Sequence, residues 1–407
     1  MNPVVNFGGN VDFEYLILGA GPAGLQMGHH LSRAGHSYLI LEAGDCPGHF
    51  FKTSPRHRTL IFDRSSLLSE GDGRLLFEDY SRKGFPSADE MVRYLGDYAD
   101  FHELNVRCNA RILRVEKPRP SQFRLHDAAG VLYTCRRLIV ATGVNKPNIL
   151  AIPDIEPAES DVEVPVDPCA GFRFDDSIFA ADCRPELVSD GRFPAQTPEW
   201  ESVNIPGLYF AGALMRANDD EKHTCGFIHG FRYNVRCLFR MLEKKHHHRQ
   251  WPAREIEPTP EGLVEAALER INRTSALWQQ TGFLHDVIMV DEGWDRAVYY
   301  EEMPLAYVHA SAIGDSRHYY TVTLELGKVE GGPLHPAIRR WCGRHLVSEQ
   351  RLLEDLSGEW KKPDSHVAPL RFFFMEQLLE TAEMGGPEME EMMEEAVLQR
   401  ELHRVAV

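Results

Sequence analysis

The stretch Phe13-Glu-Tyr-Leu-Ile-Leu-Gly-Ala-Gly-Pro-Ala-Gly24 joins an apolar run to three closely spaced glycines. This order predicts a β-strand, a tight turn and the first turn of a helix. Gly19 would permit the turn, Gly21 would let another group approach the backbone closely, and Gly24 would let the helix pack against the sheet. Because helix N–H groups and the helix dipole would point at the turn, the stretch predicts a site for the pyrophosphate of a dinucleotide.

A second strand, Ser37-Tyr-Leu-Ile-Leu41, is expected after the helix and ends at Glu42. The helix is predicted over residues 22–34, with Pro22 and Ala23 in its opening turn. An acidic residue at this distance from the glycines can accept a hydrogen bond from a ribose hydroxyl. The combination predicts a Rossmann-type α/β domain, and the alternative is a glycine-rich turn that binds no ligand.

The segment after Glu42, Ala43-Gly-Asp-Cys-Pro-Gly-His-Phe-Phe-Lys52, is rich in glycine and aromatic residues. We expect it at the carboxyl edge of the parallel sheet, where ligands bind in this architecture, with Gly48 over the cofactor. The following Pro55-Arg-His-Arg58 places two guanidinium groups and an imidazole near that edge. Arg58 is a candidate catalytic residue, and an exposed basic turn is the alternative for this group.

Later patterns extend the sheet. Residues 87–101 predict a helix that opens with a capping box, since Ser87 and Glu90 have the required spacing. Three further segments predict strands: Asn105 to Val115, a hairpin of Gln122–His126 with Val131–Cys135, and Arg137 to a glycine turn at Gly143. The predicted fold class is therefore α/β, a parallel sheet with a β-hairpin meander.

Composition narrows the function. With 44 basic and 61 acidic residues among 407, the net charge is −17, which argues against nucleic acid or an anionic membrane as the main partner. The eight cysteines include no pair spaced as CxxC, which disfavours a zinc site or a redox-active disulfide of the usual kind. The three histidines within Lys244–Arg249 point in different directions on a helix, so no metal is expected there.

The amino-terminal residues show neither a basic leader nor a long apolar core, and later apolar runs fall short of the roughly 20 residues of a membrane span. A cytoplasmic protein with no membrane partner is the expectation.

Four motifs resemble the FAD-dependent oxidoreductase domain-containing family: Gly19-Ala-Gly-Pro-Ala-Gly-Leu-Gln-Met27, Pro55-Arg-His-Arg-Thr-Leu60, Met91-Val-Arg-Tyr-Leu-Gly-Asp-Tyr-Ala-Asp100 and Gly226-Phe-Ile-His-Gly-Phe-Arg-Tyr233. The glycine-ended strands Ala141-Thr-Gly143 and Gly207-Leu-Tyr-Phe-Ala-Gly212 also follow in the order of two-dinucleotide-binding flavoproteins, which include flavin-containing monooxygenases. The resemblance implies FAD as the cofactor. It implies these FAD-binding residues: Gly19, Gly21, Pro22, Ala23, Gly24, Glu42, Gly48, Ile112, Gly143, Gly212 and Gly226.

The chain departs from this family between Gly143 and Gly212, where no second GxGxxG occurs although the family carries an NADPH-binding domain there. Ala213 also replaces an aspartate that is common in related disulfide reductases and binds the ribityl chain. We therefore expect an FAD-binding domain in two parts, residues 1–153 and 169–250, joined by a connector over 154–168. Residues 251–407 are expected to form an α+β region in which 261–278 and 372–379 are helical and 319–326 is a strand.

A helix is expected from Gly226 to Leu242, and the resemblance implies that its amino end points at the flavin. The helix dipole would there stabilise negative charge on the reduced ring. His229 in its first turn is a candidate proton carrier, although a structural histidine is the alternative.

The resemblance implies the function of an NAD(P)H-dependent flavoprotein monooxygenase, which uses molecular oxygen to oxygenate a nitrogen, sulfur or activated carbon of a small molecule. A homodimer is a further expectation. The alternatives are a flavin reductase or oxidase that passes electrons to a protein thiol partner, and a non-catalytic scaffold that holds FAD.

Overall fold

The computed structural model describes residues 12–53, 75–83, 86–144, 146–147, 172–218, 228–327, 334–355 and 357–381. Its contacts divide the chain into two compact units, Met1–Leu242 and Glu243–Val407. Arg58, Gly226 and the connector predicted over 154–168 lie outside the described residues. Among the described helices, none is long and apolar enough to cross a membrane.

The first unit contains a sheet built on a parallel core. Its strands are β1 (Phe13–Leu18), β2 (Tyr38–Leu41), β3 (Val106–Arg107), β4 (Ile112–Arg119), β5 (Gln122–Asp127), β6 (Leu132–Val140) and β11 (Leu208–Phe210). The order is β3-β2-β1-β6-β5-β4, and β11 pairs with the second half of β6. Strands β1, β2, β3, β6 and β11 run parallel, whereas β4, β5 and β6 form an antiparallel meander. The expected parallel sheet with a hairpin meander is thus confirmed.

The other elements of this unit are α1 (Pro22–Ala34), α2 (His49–Thr53), α3 (Ala88–Phe101), the short strands β7 (Lys146–Pro147), β8 (Phe172–Arg173), β9 (Leu187–Val188) and β10 (Phe193–Pro194), and α4 (Ile228–His247), which continues into the second unit. Two short 3₁₀ segments cover Phe77–Asp79 and Gly212–Asn218.

Helix α1 forms as predicted because Pro22 fits its first turn and Gly35 ends it in the left-handed conformation (φ 78°). Helix α3 begins with the predicted capping box: Ser87 Oγ accepts from the Glu90 N–H, and the Ser87 N–H donates to the Glu90 carboxylate. Its apolar face is fully buried, with Met91, Tyr94 and Leu95 at 0% exposure.

The prediction of one strand over residues 105–115 is wrong. The structure forms β3 and β4 separately, with the break at Cys108–Arg111. Asn109 adopts a left-handed conformation (φ 56°), and its N–H donates to the Gly44 carbonyl at 2.7 Å. The chain turns there because it leaves the parallel sheet and enters the meander.

The second unit has an antiparallel sheet of six strands in the order β12-β14-β13-β15-β16-β17. Its elements are β12 (Ala253–Ile256), α5 (Pro260–Arg273), α6 (Ser275–Gln279), β13 (Leu284–Val290), β14 (Ala297–Pro304), α7 (Leu305–Ala310), β15 (Tyr319–Leu326), β16 (Leu334–Cys342), β17 (His345–Arg351), a π-helical turn at Pro363–Val367, and α8 (Ala368–Thr381). The expected α+β character of the carboxyl-terminal region is confirmed.

The single helix predicted over 261–278 is divided into α5 and α6. Thr274 is extended (φ −81°, ψ 124°), and its hydroxyl accepts a hydrogen bond from the Ala276 N–H at 3.2 Å. A threonine that caps a helix in this way interrupts the preceding one, because its own backbone leaves the helical conformation.

A buried ionic network lies in this second sheet. Arg270 of α5 donates through Nε to Asp286 of β13 at 2.9 Å, and its terminal nitrogens lie 3.4 Å from carboxylate oxygens of Glu301 and Glu302. The Tyr299 hydroxyl also donates to Asp286 at 2.9 Å. Burial raises the pKa of Asp286, which has no exposed surface, while Arg270 acts in the opposite direction. Arg270 is thus shared among three carboxylates, and Asp286 has both this guanidinium and the Tyr299 hydroxyl as partners.

Candidate functional site

The carboxyl ends of four neighbouring parallel strands meet at one edge of the first sheet. Backbone hydrogen bonds extend the pairing past the strand ends: the Gly19 N–H donates to Leu41 O, Ala141 to Leu18 O and Ala211 to Val140 O, at 2.8 to 2.9 Å. The residues that follow the four strands are Gly19 and Glu42, after β1 and β2, and Gly143 and Gly212, shortly after β6 and β11. Tertiary pairing therefore brings four of the predicted residues to one edge, the position where α/β sheets bind ligands.

The glycine turn is sterically closed at two positions and open at a third. Gly19 has φ +102°, and a Cβ there would lie 2.8 Å from the Ala141 carbonyl oxygen. A Cβ on Gly24 would lie 2.0 Å from the Gly19 carbonyl oxygen, so only glycine lets α1 start directly on the turn. A Cβ on Gly21 would meet nothing within 4 Å. Open space thus lies in front of Gly21, at the amino end of α1.

That end of α1 suits an anion. Gly21 occupies the N-cap in an extended conformation and no side chain caps the helix. The first N–H groups of any helix lack intrahelical partners, and the 13-residue α1 concentrates its dipole there. No acidic residue lies in the first turn, where Pro22 and Ala23 stand. A phosphate group placed before Gly21 would therefore meet backbone donors and a positive dipole end.

Glu42 has a defined orientation. Its Oε2 accepts from the Ala20 N–H and its Oε1 accepts from the Gly44 N–H, each at 2.8 Å. A carboxylate offers about four lone-pair sites, so these bonds leave acceptor capacity for hydroxyl groups. Glu42 is half-buried, and its carboxylate is tied to the glycine turn itself.

The segment between β2 and α2 docks on the same turn. Gly48 adopts a left-handed conformation (φ +71°), and its N–H donates to Ala20 O at 2.9 Å. A Cβ on Gly48 would lie 2.7 Å from Leu95 Cδ1 of α3. Gly48 thus lies between Leu95 of α3 on one side and the glycine turn, which accepts its N–H, on the other.

The ends of β6 and β11 complete the edge. Gly143 has φ +74°, and a Cβ there would meet nothing within 4 Å. Gly212 has φ +71°, and a Cβ there would lie 2.8 Å from the Cβ of Ala23 and 3.7 Å from Phe231 Cε2 of α4. Helix α4 thus passes close to the first turn of α1 at this edge.

The remaining predicted residues are placed less directly. Ile112 begins β4 and pairs in register with Asp127; it stands two residues after Ala110, whose N–H donates to Glu42 O at 2.8 Å. His229 lies in the first described turn of α4, and the structure does not describe its side chain. Arg58 and Gly226, named above, are not described.

The sequence did not predict the two N–H groups, of Ala20 and Gly44, that orient the Glu42 carboxylate. Any residue supplies an N–H, so their role leaves no trace in side-chain chemistry. The glycine at position 44, two residues after the acid, is the one signal that could have identified this contact.

The thiols near Glu42 are not activated. Burial is the main cause that raises the pKa of Cys46 and of Cys108, and the charges of Asp45 and Glu42 add to it. A raised pKa keeps a thiol protonated and weakly nucleophilic. Among the described cysteines, none forms a disulfide.

Comparison with known proteins supports the resemblance found in the motifs. Residues 16–176 match the family model described as pyridine nucleotide-disulphide oxidoreductase. The chain is 27% identical to "FAD-dependent oxidoreductase domain-containing protein 2" of Mus musculus over 568 aligned positions, which cover 90% of this chain and 84% of the mouse protein. Because the alignment is 161 positions longer than the 407-residue chain, the mouse protein carries residues with no counterpart here.

The chain is also 33% identical over 138 residues, 32% of its length and 31% of the relative's, to "Probable indole-3-pyruvate monooxygenase YUCCA1" of Arabidopsis thaliana. Among solved structures, "Flavin-containing monooxygenase from Stenotrophomonas maltophilia" matches at 17% identity over 57% of this chain and 98% of that chain, with a TM-score of 0.44. The alignment with the mouse protein confirms the resemblance predicted from the motifs.

Proposed function

We propose that this chain, an oxidoreductase enzyme of the flavin monooxygenase and disulfide reductase family, binds FAD at the carboxyl edge of its first sheet. The observation that carries the proposal is the combination of open space before Gly21 with the orientation of Glu42 beside it. The glycine turn and the amino end of α1 would hold the pyrophosphate, and Glu42 would accept hydrogen bonds from the adenosine ribose. Gly143, with open space before it, fits the same elongated ligand.

The reaction we propose is NAD(P)H-dependent oxygenation of a nitrogen, sulfur or activated carbon atom of a small molecule by molecular oxygen. The flavin, when bound, would supply the redox chemistry. The chain's own part would be to bind and orient the cofactor: backbone amides at Gly21 would face the phosphates, and the open space at Gly21 and Gly143 would let the cofactor approach the backbone. Such a reaction needs few charged side chains from the protein, which agrees with an edge made mainly of backbone and one carboxylate. Homodimer formation is a further part of the proposal.

A flavin reductase that passes electrons to a protein thiol partner is the second candidate, because the matching family model is described as a disulphide oxidoreductase. The raised pKa values of Cys46 and Cys108 disfavour a relay through these two thiols. The thiol in this candidate would therefore belong to the partner. NAD(P)H-dependent oxygen uptake with oxygenated product would support the monooxygenase, and reduction of a disulfide substrate without oxygen uptake would support the reductase. Bound FAD that NAD(P)H never reduces would support a scaffold.

The FAD site is tested by Gly21→Ala, matched by Gly96→Ala. Neither position has an atom within 4 Å of an added Cβ, so both variants are expected to fold. Gly96 lies within α3, where alanine is expected to add about 0.5–1 kcal/mol of stability. Gly21→Ala is expected to weaken FAD binding by at least about tenfold, because its methyl group takes the space before the turn. FAD titration followed by fluorescence quenching measures this, and equal affinity in all three proteins would contradict the proposed site.

A further inference from the structure

Three side chains join the loop after Glu42 to α2. The Asp45 carboxylate lies with Oδ1 at 2.9 Å from His49 Nδ1 and with Oδ2 bonded to Lys52 Nζ. Lys52 and then His49 hold the pKa of Asp45 well below its usual range, so the carboxylate stays charged at neutral pH. These groups are partly exposed, and exposed ion pairs add little to global stability. These two ion pairs therefore act mainly by fixing the position of the His49 ring.

The imidazole of His49 lies directly on Gly44. A Cβ on Gly44 would stand 2.0 Å from His49 Cγ, 2.4 Å from His49 Cβ and 2.5 Å from Cδ2. The φ of Gly44 lies outside the left-handed region that favours glycine, so its backbone would accept any residue. Glycine is required at position 44 because the His49 ring occupies the side-chain space.

Gly44 is also the residue that orients Glu42. Its N–H donates to Glu42 Oε1 at 2.8 Å, and its carbonyl accepts from the Asn109 N–H at 2.7 Å. The other carboxylate oxygen, Oε2, is held by Ala20. If Gly44 moved, the carboxylate would lose one of its two backbone donors and could rotate about its remaining bond.

We infer that His49, oriented by Asp45, is a positioning residue that presses Gly44 toward Glu42 and so preorganises the carboxylate for the ribose of the dinucleotide. The inference rests on the proposed FAD site and deepens it. Holding a binding group in its bound orientation before the ligand arrives lowers the entropy cost of binding. Three contacts thus connect the acid at the end of β2 with the start of α2. Glu42 accepts from the Gly44 N–H, the His49 ring lies on Gly44, and Asp45 contacts His49.

A metal site is the competing explanation for these side chains. Ligand atoms of Asp45, Cys46 and His49 all lie within 4.8 Å of one another. The Lys52 ammonium, however, already neutralises Asp45, and burial raises the pKa of Cys46 and keeps it protonated. A cation would have to displace the first and deprotonate the second. The arrangement therefore favours a structural role, in which Asp45 orients His49, over a metal site.

The test is a double-mutant cycle on FAD affinity with Gly44→Ala and His49→Gly. In the native background Gly44→Ala is expected to raise the FAD dissociation constant by about tenfold, because the new methyl group and the imidazole cannot share the same space. His49→Gly removes the His49 Cβ as well as the ring, and so removes all three of the close contacts with a Cβ on Gly44, and in that background Gly44→Ala is expected to change the constant by less than about twofold. Equal effects of Gly44→Ala in both backgrounds would overturn the inference.

A second cycle avoids any risk that Gly44→Ala fails to fold. Asp45→Ala removes the partner of His49 without adding bulk, and it is expected to raise the FAD dissociation constant by about threefold in the native background. It is expected to add no further loss to His49→Ala. Additive losses would overturn the inference here too. A native protein that fails to bind FAD would instead refute the proposed function, so the two failures are distinguishable.

Discussion

The two sheets of this protein differ in whether their carboxylates keep room for an outside partner. At the carboxyl edge of the first sheet, glycines expose the backbone, open space lies before Gly21, and Glu42 is held with acceptor capacity remaining. In the second sheet, Asp286 is fully buried and its charge is answered by Arg270 and Tyr299. The first arrangement leaves space and acceptor capacity for a ligand, whereas in the second the buried carboxylate already has its partners within the protein.

The largest expected effect comes from Arg270→Leu in the second sheet. Removing this guanidinium leaves Asp286 buried without its cation, which is expected to cost about 3–5 kcal/mol of unfolding free energy. Without Arg270 the pKa of Asp286 would rise further above its unfolded value, so the deficit should be largest at high pH and shrink as the pH falls and the carboxyl group takes up a proton. Urea denaturation at several pH values measures both.

The matched control for Arg270→Leu is Arg273→Leu in the same helix. Arg273 is 77% exposed and pairs with Glu269 four residues earlier, so its loss is expected to cost less than about 0.5 kcal/mol. A cost for Arg270→Leu as small as that of the control would show that the buried Asp286 does not depend on Arg270.

Glu42→Gln tests the first sheet and is expected to act on binding more than on stability. A carboxylate accepts at both oxygens, whereas the amide places an NH₂ group against the N–H of either Ala20 or Gly44. We expect about a tenfold loss of FAD affinity, measured by fluorescence titration. Glu116→Gln is the control, since it removes a carboxylate from the meander, where Glu116 pairs with Arg114. The same affinity loss in the control would show that charge alone, and not position, matters.

The smallest expected effect is at the cap of α3. Ser87→Ala removes the acceptor for the Glu90 N–H and is expected to cost about 1 kcal/mol without changing FAD affinity. The hydrogen bond from the Ser87 N–H lowers the pKa of Glu90 to about 2. Because this folded-state value lies below the unfolded one, the contribution of Glu90 is present above about pH 4.3 and disappears as the pH falls toward about 2. Acid unfolding of native protein and Glu90→Gln should therefore converge at low pH, and parallel curves would contradict the assignment.

Much of the first unit could be predicted because its signals are local. Glycine spacing, Pro22 at the helix start, the Ser87–Glu90 box and the Phe123–Cys135 hairpin depend on neighbouring residues, and each is present in the structure. The divided strand at Asn109 and the divided helix at Thr274 were mispredicted, because periodicity continued across both breaks while tertiary hydrogen bonds and capping decided the backbone.

The amino-acid sequence by itself determined the class of site. Its signals are three glycines after an apolar strand, an acid after the next strand, and later strands that end in glycine. Each signal depends on the conformational freedom or the charge of single residues, which the sequence shows directly. What only the tertiary structure decided is which groups meet. Parallel pairing brought Gly19, Glu42, Gly143 and Gly212 to one edge, and packing set the His49 ring on Gly44. The reason is physical. Whether a backbone amide reaches Glu42, or a ring fills the space beside a glycine, depends on distances in the folded chain. Residue type alone does not determine those distances.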